Sequence, residues 1–296
     1  MTTVWDAPGS NPPNPFTAPI QALFASSNHS SASAPAFDET AAHLVAILNT
    51  SPNAVNAIWQ LWDAFFVAVI TSSTPCSPFL TLLYALRAQP PARPSRAPST
   101  LPKYTQADGK LHWAELPGFR SQWTDVHDSL EASRDWDGVR ASGARGSGDK
   151  YYLRFCVFSA ALLKATKGKG EVHPISVFYA CRNVLESAGP KPDQPRAHRL
   201  SSAQVWALDV RVTAIWVRDG AEALWETNYE ELREHWAMTL DCKTELWPRE
   251  DGLTRERWRL WEERLQVLSM EEGSFDEETR AIATEAANML NNILTR

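Results

Sequence analysis

Residues 53–71 read NAVNAIWQLWDAFFVAVIT, and this stretch decides the fold. Its large apolar side chains recur at helical steps and cover most of a helix circumference; they are Val55, Ile58, Trp59, Trp62, Phe65, Phe66 and Val69. Gln60 and Asp63 interrupt the most apolar part, which is shorter than the roughly 20 residues that a membrane span needs. We therefore predict a helix at the centre of a folded core and no membrane partner.

The chain on either side of this helix carries similar apolar stripes with helical spacing. Further helices are predicted over residues 39–49, 79–88, 119–130, 150–167, 174–189, 258–268 and 282–293. Possible capping boxes at Ser201, Thr227 and Ser274 indicate three helix starts in the last third. No segment alternates polar and apolar residues as a strand would. We predict an all-α protein of about nine amphipathic helices, in a globular helical bundle or a short stack of helical hairpins, with no sheet.

Pro, Ser, Ala and Asn dominate residues 1–37, which show no clear apolar period. Such a composition buries too little surface to offset the entropy of ordering, so we predict a flexible tail there. We predict a single helical domain for residues 38–296. Its long loops are expected near residues 89–110, 137–149 and 189–200, where proline, glycine and serine cluster.

The chain of 296 residues is 44% hydrophobic and 22% charged, which is typical of a soluble globular protein. Its net charge of -6 argues against nucleic acid as a partner, because such proteins need a basic footprint. The four cysteines form no CxxC pair, so we expect no metal site and no disulfide. The start of the chain lacks the basic and apolar regions of a secretory signal, and we expect an intracellular, cytoplasmic protein.

Charge is unevenly spread along the chain. Residues 219–285 contain nineteen acidic and eight basic side chains, whereas residues 82–170 contain fourteen basic and eight acidic ones. Ordinary solvated helix faces are one explanation of this pattern. The other is an acidic interaction surface that includes Glu230, Glu231 and Glu234. Its partner would be a basic protein or a second copy of the chain, because complementary charge speeds association.

The sequence contains no recognisable catalytic constellation, and we predict no catalytic residue, no metal site and no cofactor. Asp125 and Asp128 have the spacing of a magnesium-binding pair, but the second ligand set that helical diphosphate enzymes require is missing after Asn228. No serine lies in a nucleophile elbow, and no cysteine has neighbours that would clearly lower its pKa.

Two groups of polar residues remain as candidate binding sites. Lys167, Lys169 and His173 precede a predicted helix start and could contact an anion there, although the glycines of this KGKG segment are more simply explained by a tight turn between helices. Arg211 and Arg218 lie on a largely apolar helix. They either tie neighbouring helices together, which we favour, or line a polar pocket with His127.

Three stretches carry a family resemblance. They are Leu82 to Ala88, the segment Trp113-Ala-Glu-Leu-Pro-Gly-Phe, and Tyr152 to Phe178 with its Phe-Ser-Ala-Ala-Leu core. Over roughly residues 55–250 the chain resembles a fungal family, domain of unknown function 3632. The Trp-Pro-Arg-Glu-Asp stretch at residues 247–251 is most similar to sequences of mushroom-forming fungi. The resemblance implies an all-helical intracellular protein and transfers no catalytic or binding residue.

These observations together favour a non-enzymatic protein-interaction or scaffold protein that acts through charged helical surfaces. The alternative is an enzyme or binding protein for a small apolar metabolite. It would hold that metabolite in a tryptophan-lined pocket between helices, with His127, Arg211 and Arg218 as the polar groups.

Overall fold

The computed structural model describes residues 14–27, 34–73, 75–95, 103–137, 139–141, 144–190 and 198–296. These residues contain eleven α-helices: α1 Thr17–Ser27, α2 Ala34–Thr50, α3 Ala54–Thr71, α4 Cys76–Arg87, α5 Phe119–Ser133, α6 Gly148–Ala165, α7 Ile175–Val184, α8 Ser202–Glu226, α9 Tyr229–Leu240, α10 Arg255–Met270 and α11 Glu277–Leu294. The all-α fold class predicted from the sequence is confirmed.

One short ribbon accompanies the helices in the described part of the chain. Strands β1 (Val139–Ala141) and β2 (Ala144–Gly146) pair antiparallel within the predicted loop at 137–149. A further 3₁₀ helix covers Trp113–Glu115. The loop predicted at 189–200 lies partly outside the described residues, at 191–197.

The flexible tail predicted for residues 1–37 is wrong at α1 and at the start of α2. Phe16, Ile20, Leu23 and Phe24 are all buried. These residues follow one another at steps of four, three and one, and they form an apolar stripe on one side of the helix. The serine and proline residues around them concealed this stripe in the sequence. Burial of the stripe outweighs the entropy cost of ordering the segment. This stripe forms α1, which is not among the helices predicted from the sequence. Residues 1–13 and 28–33 lie outside the described part of the chain.

The contacts within the chain define two compact units. Unit 1 comprises the described residues within Met1–Arg134 and Gly138–Phe155. Unit 2 comprises Asp135–Asp137 and the described residues within Cys156–Arg296. A single domain over residues 38–296 stays a prediction, and each unit is described by itself.

Helix α3 forms the centre of unit 1, as its sequence predicts. Asn53 caps its N-terminus by accepting a hydrogen bond from the amide of Asn56 at 3.1 Å. Trp62 is fully buried, with its ring edge-to-face against Phe119 at 5.0 Å between centroids. Its indole nitrogen donates a 2.7 Å hydrogen bond to the carbonyl of Pro117, so the polar atom of this core tryptophan is satisfied.

Unit 2 is built around α8, which packs against α7 and α11, while α10 and α11 pack on each other. Gly220 permits a close approach on α8. A Cβ at this position would lie 2.5 Å from Leu163 of α6 and 2.7 Å from Val177 of α7. Any larger residue would therefore force these side chains, or the helices that carry them, to shift.

Only one of the three predicted capping boxes is present. Ser201 and Gln204 form both hydrogen bonds of the box at the start of α8. The boxes at Thr227 and Ser274 are wrong. Asn228 caps α9 and Asp276 caps α11 instead, because an Asx side chain one or two residues later also accepts a bond from the first helical turn.

Helix α3 is long and apolar enough to cross a membrane by length and composition alone. In the described chain it is the one helix that meets this test, and 67% of the tested window is buried inside the protein. The core helix of a folded unit commonly passes the same test.

Asp63 is an ionisable group on this apolar helix. Burial raises the pKa of its carboxyl to about 6, from an ordinary value of 3.8. The folded state therefore disfavours the charged form. The resulting cost to stability is present at neutral pH and disappears as the pH falls through about 6 toward the unfolded-state value.

We expect the substitution Asp63→Asn to stabilise the protein at pH 7, because an amide at this position carries no charge to desolvate. The free energy of unfolding should rise by about 1–3 kcal/mol. Urea denaturation at neutral pH, compared with a pH below the ordinary carboxyl range, measures the change, which should shrink on acidification. The exposed Asp125→Asn on α5 is the matched control; an equal effect of both substitutions would contradict the assignment.

Candidate functional site

Arg211 and Arg218, the two arginines predicted on an apolar helix, lie on α8 and bind acids of α11. Arg211 pairs with Glu278 and lies 3.8 Å from a carboxylate oxygen of Asp276. Arg218 lies 3.5 Å from Glu285. These contacts tie α8 to α11, which is the structural role that we favoured. A role of the same arginines in lining a pocket stays a prediction.

Asp219 anchors a small charge network beside Arg218. The Arg218 guanidinium lies 2.6 Å from its carboxylate, and the Lys164 ammonium of α6 lies 2.9 Å from it. Burial by itself would raise the pKa of Asp219. Hydrogen bonds from Arg218 and Lys164 outweigh that effect and hold the pKa below its ordinary value. The carboxylate is therefore charged at neutral pH and joins α6 to α8.

His127, the third predicted pocket residue, belongs to unit 1. Its ring stacks on that of Trp123 at 5.3 Å between centroids, and its Nδ1 lies 3.3 Å from a carboxylate oxygen of Asp128. The ligand atoms of His127, Asp128 and Glu131 all lie within 4.8 Å of one another, close enough for one metal ion. Exposed acids often lie this close without a metal, so the cluster supports no assignment. This set shares Asp128 with the pair of Asp125 and Asp128 considered from the sequence, but it does not include Asp125.

The predicted anion contacts Lys167, Lys169 and His173 surround the turn between α6 and α7. Both lysines are exposed. His173 uses its Nδ1 to accept a 3.1 Å hydrogen bond from the amide of Ile175. This amide at the start of α7 is the donor that an anion would use, and the histidine ring already occupies it. The anion contact therefore stays a prediction without further support.

Glu230, Glu231 and Glu234 are exposed on α9. Glu230 and Glu231 lie in its first turn, where negative charge stabilises the helix dipole. Met238 follows Glu234 by four residues, beyond a kink at Trp236 where φ is -131° and ψ is 21°, and it is 92% exposed. Along the chain, the predicted acidic residues are thus followed by an exposed apolar side chain. We name these four residues the α9 surface.

Glu186 and Arg257 form an ion pair in unit 2, and both side chains are fully buried. No pattern in the sequence predicted this pair. Arg257 donates from Nε to Glu186 Oε1 at 2.7 Å and from Nη2 to Oε2 at 2.9 Å. Trp261 donates to Oε1 at 2.8 Å, and the hydroxyl of Thr244 donates to Oε2 at 2.8 Å. Both carboxylate oxygens are therefore fully used.

Two further N–H groups of Arg257 hold the segment between α9 and α10. Its Nη1 donates to the carbonyl of Leu240 at 2.5 Å and to that of Gly252 at 2.8 Å. The thiol of Cys181 lies near this ion pair, and burial raises its pKa well above the ordinary value, with the charge of Glu186 adding to the effect. Both effects favour the neutral thiol, which is a weaker nucleophile than the thiolate.

The sequence did contain one signal for the buried arginine. Arg257 precedes Trp261 by four residues and therefore lies on the buried stripe of α10 with Trp261 and Leu265. The many charged residues of the stretch RERWRLWEERL made it difficult to recognise that Arg257 belongs to the apolar side of the helix. Glu186 follows the end of α7 and has no periodic pattern that would indicate burial.

Comparison with known proteins gives one match. A family model described as "Protein of unknown function (DUF3632)" matches residues 62–265. No curated protein and no solved structure matches the chain.

We expect Glu186→Gln to destabilise unit 2 by about 3–5 kcal/mol, because it leaves the Arg257 charge buried without a carboxylate. Chemical denaturation of the purified protein measures the loss. Glu222→Gln is the matched control, since it removes the partner of Arg296 in an exposed ion pair and should cost about 0–1 kcal/mol. Equal effects of the two substitutions would contradict the role of the buried pair.

Proposed function

The chain belongs to this family of proteins of unknown function, and we propose that it is a non-enzymatic protein that binds a basic partner protein through acidic helical surfaces of unit 2. We further propose that it acts inside the cell, in the cytoplasm. The observation that carries the proposal is the pairing of exposed acids with an exposed methionine on the α9 surface.

Charge supports the choice of a basic partner. The nineteen acidic and eight basic side chains of residues 219–285 give this part of unit 2 a strong negative excess. Several of these acids already have internal partners, including Asp241 with Arg233. Glu231 and Glu234 are exposed, so their field reaches a partner in solution and accelerates its approach.

The exposure of Met238 supports binding rather than simple solvation. A solvated helix face is normally polar, whereas interfaces are enriched in methionine and depleted of glutamate at their centres. Met238 can adapt its unbranched side chain to an apolar group of the partner. The neighbouring glutamates would then form the polar rim that orients a basic segment.

We expect the triple substitution Glu230→Gln, Glu231→Gln and Glu234→Gln to weaken binding of an amphipathic lysine–leucine helical peptide by about 5- to 50-fold at low salt. Fluorescence anisotropy of labelled peptide measures the affinity at about 50 and about 300 mM salt, and the difference should shrink at the higher concentration.

The control for this experiment removes the same net charge elsewhere, by Asp125→Asn, Asp128→Asn and Asp137→Asn, all exposed positions. An equal loss in both triple variants would show only nonspecific attraction to an acidic protein. Wild-type protein that fails to bind the peptide at low salt would contradict the proposed function.

A further inference from the structure

The C-terminal end of α10 exposes two apolar side chains. Val267 is 50% exposed and Met270 is 75% exposed. They lie three residues apart, so both project from one side of the last turn. Neighbouring Leu268 is 1% exposed and faces the core of unit 2, which shows that the helix end is packed and not frayed away from the unit.

The charge at this helix end is opposite to what the helix dipole favours. The last turn of α10 contains no basic residue, and Glu271 and Glu272 follow at once. The C-terminus of a helix carries partial negative charge on its unpaired carbonyls, so two carboxylates there repel it. A cation placed at this end would relieve that repulsion.

Acids at the N-terminal ends of α9 and α11 have a structural explanation that these two lack. Glu230 and Glu231 begin α9, and Glu277 and Glu278 begin α11, where the dipole favours negative charge. Among the described residues no ion pair involves Glu271 or Glu272. Proteins often break local rules of helix stability at functional sites.

We propose that Val267, Met270, Glu271 and Glu272 form a docking surface, named the α10 end surface, for a basic amphipathic helix of the partner protein. This inference rests on the proposed function and adds a second contact to the α9 surface. Apolar side chains of the partner helix pack on Val267 and Met270, and its lysine or arginine side chains bind the two carboxylates and the helix carbonyls.

The charge argument favours a separate basic protein over other occupants. The surface combines two carboxylates with the negative end of α10, so a complementary ligand carries positive charge beside apolar groups. It also lies beyond residues 62–265, the part of the chain that matches the family model. The docking surface is therefore inferred from this chain alone.

The same lysine–leucine peptide, about 18 residues long so that it forms a helix when bound, is the probe. Met270→Ser should weaken its binding by about 5- to 20-fold. Glu271→Gln with Glu272→Gln should weaken binding by about tenfold at low salt and by less at high salt. Tyr84→Ser, at an exposed aromatic position of unit 1, is the control and should bind as the wild type.

A peptide that carries one photoactivatable group locates the contact directly. Cross-links within residues 263–272, identified by mass spectrometry, support the proposal. Wild-type affinity in both the Met270 and the double glutamate variant, with the α9 triple variant still weakened, overturns the α10 end surface and leaves the proposed function intact. Absence of wild-type binding overturns both.

Docking of a second copy of this chain on the α10 end surface would give a different result. If the α10 end surface instead contacts another molecule of this chain, sedimentation of the wild type shows salt-sensitive self-association that Met270→Ser abolishes. That result overturns the choice of a separate basic protein. All variants should keep the wild-type circular dichroism spectrum, because the substituted side chains are exposed or, at Glu271, partly exposed.

Discussion

A guanidinium with no access to water constrains the whole of unit 2. Arg257 cannot lose its proton, so the folded chain must supply a carboxylate and several carbonyls around it. Glu186 from the end of α7 supplies the charge, and Leu240 and Gly252 supply carbonyls. The end of α7 therefore has to meet the start of α10, seventy-one residues further along the chain, together with the connection that precedes α10. Apolar packing alone is less directional, whereas another arrangement of these segments would leave the buried Arg257 charge without its hydrogen-bond partners.

The sequence was informative wherever a single periodic pattern determined the structure. The apolar repeat around Trp62 correctly predicted a central helix, and the repeats elsewhere correctly predicted the all-α class. Short-range polar contacts were less predictable, because neighbouring residues compete for the same cap. Ser201 formed its box, but Asn228 and Asp276 replaced Thr227 and Ser274. A composition rich in serine and proline concealed helix α1.

The candidate sites depended on tertiary contacts that spacing does not encode. The sequence indicated that Arg211 and Arg218 would be partly buried, yet the fully buried arginine is Arg257, which lies among charged neighbours. Its partner Glu186 is seventy-one residues away, so no local pattern relates the two. By contrast, the exposure of the glutamates on α9 follows from helical spacing. The sequence did not predict that the apolar side chains of Met238 and Met270 are exposed. Their exposure depends on how far the neighbouring helices extend over the surface.

Gly252 gives the connection between α9 and α10 an unusual property. This segment, residues 241–254, has no regular secondary structure. Irregular surface connections normally accept insertions and deletions with little penalty. Here the Gly252 carbonyl is fixed from within by Arg257, its φ is 71°, and a Cβ would lie 2.0 Å from the Tyr229 hydroxyl. The length of this connection should consequently be as restricted as that of a core helix, and grafts or tags would be better tolerated elsewhere.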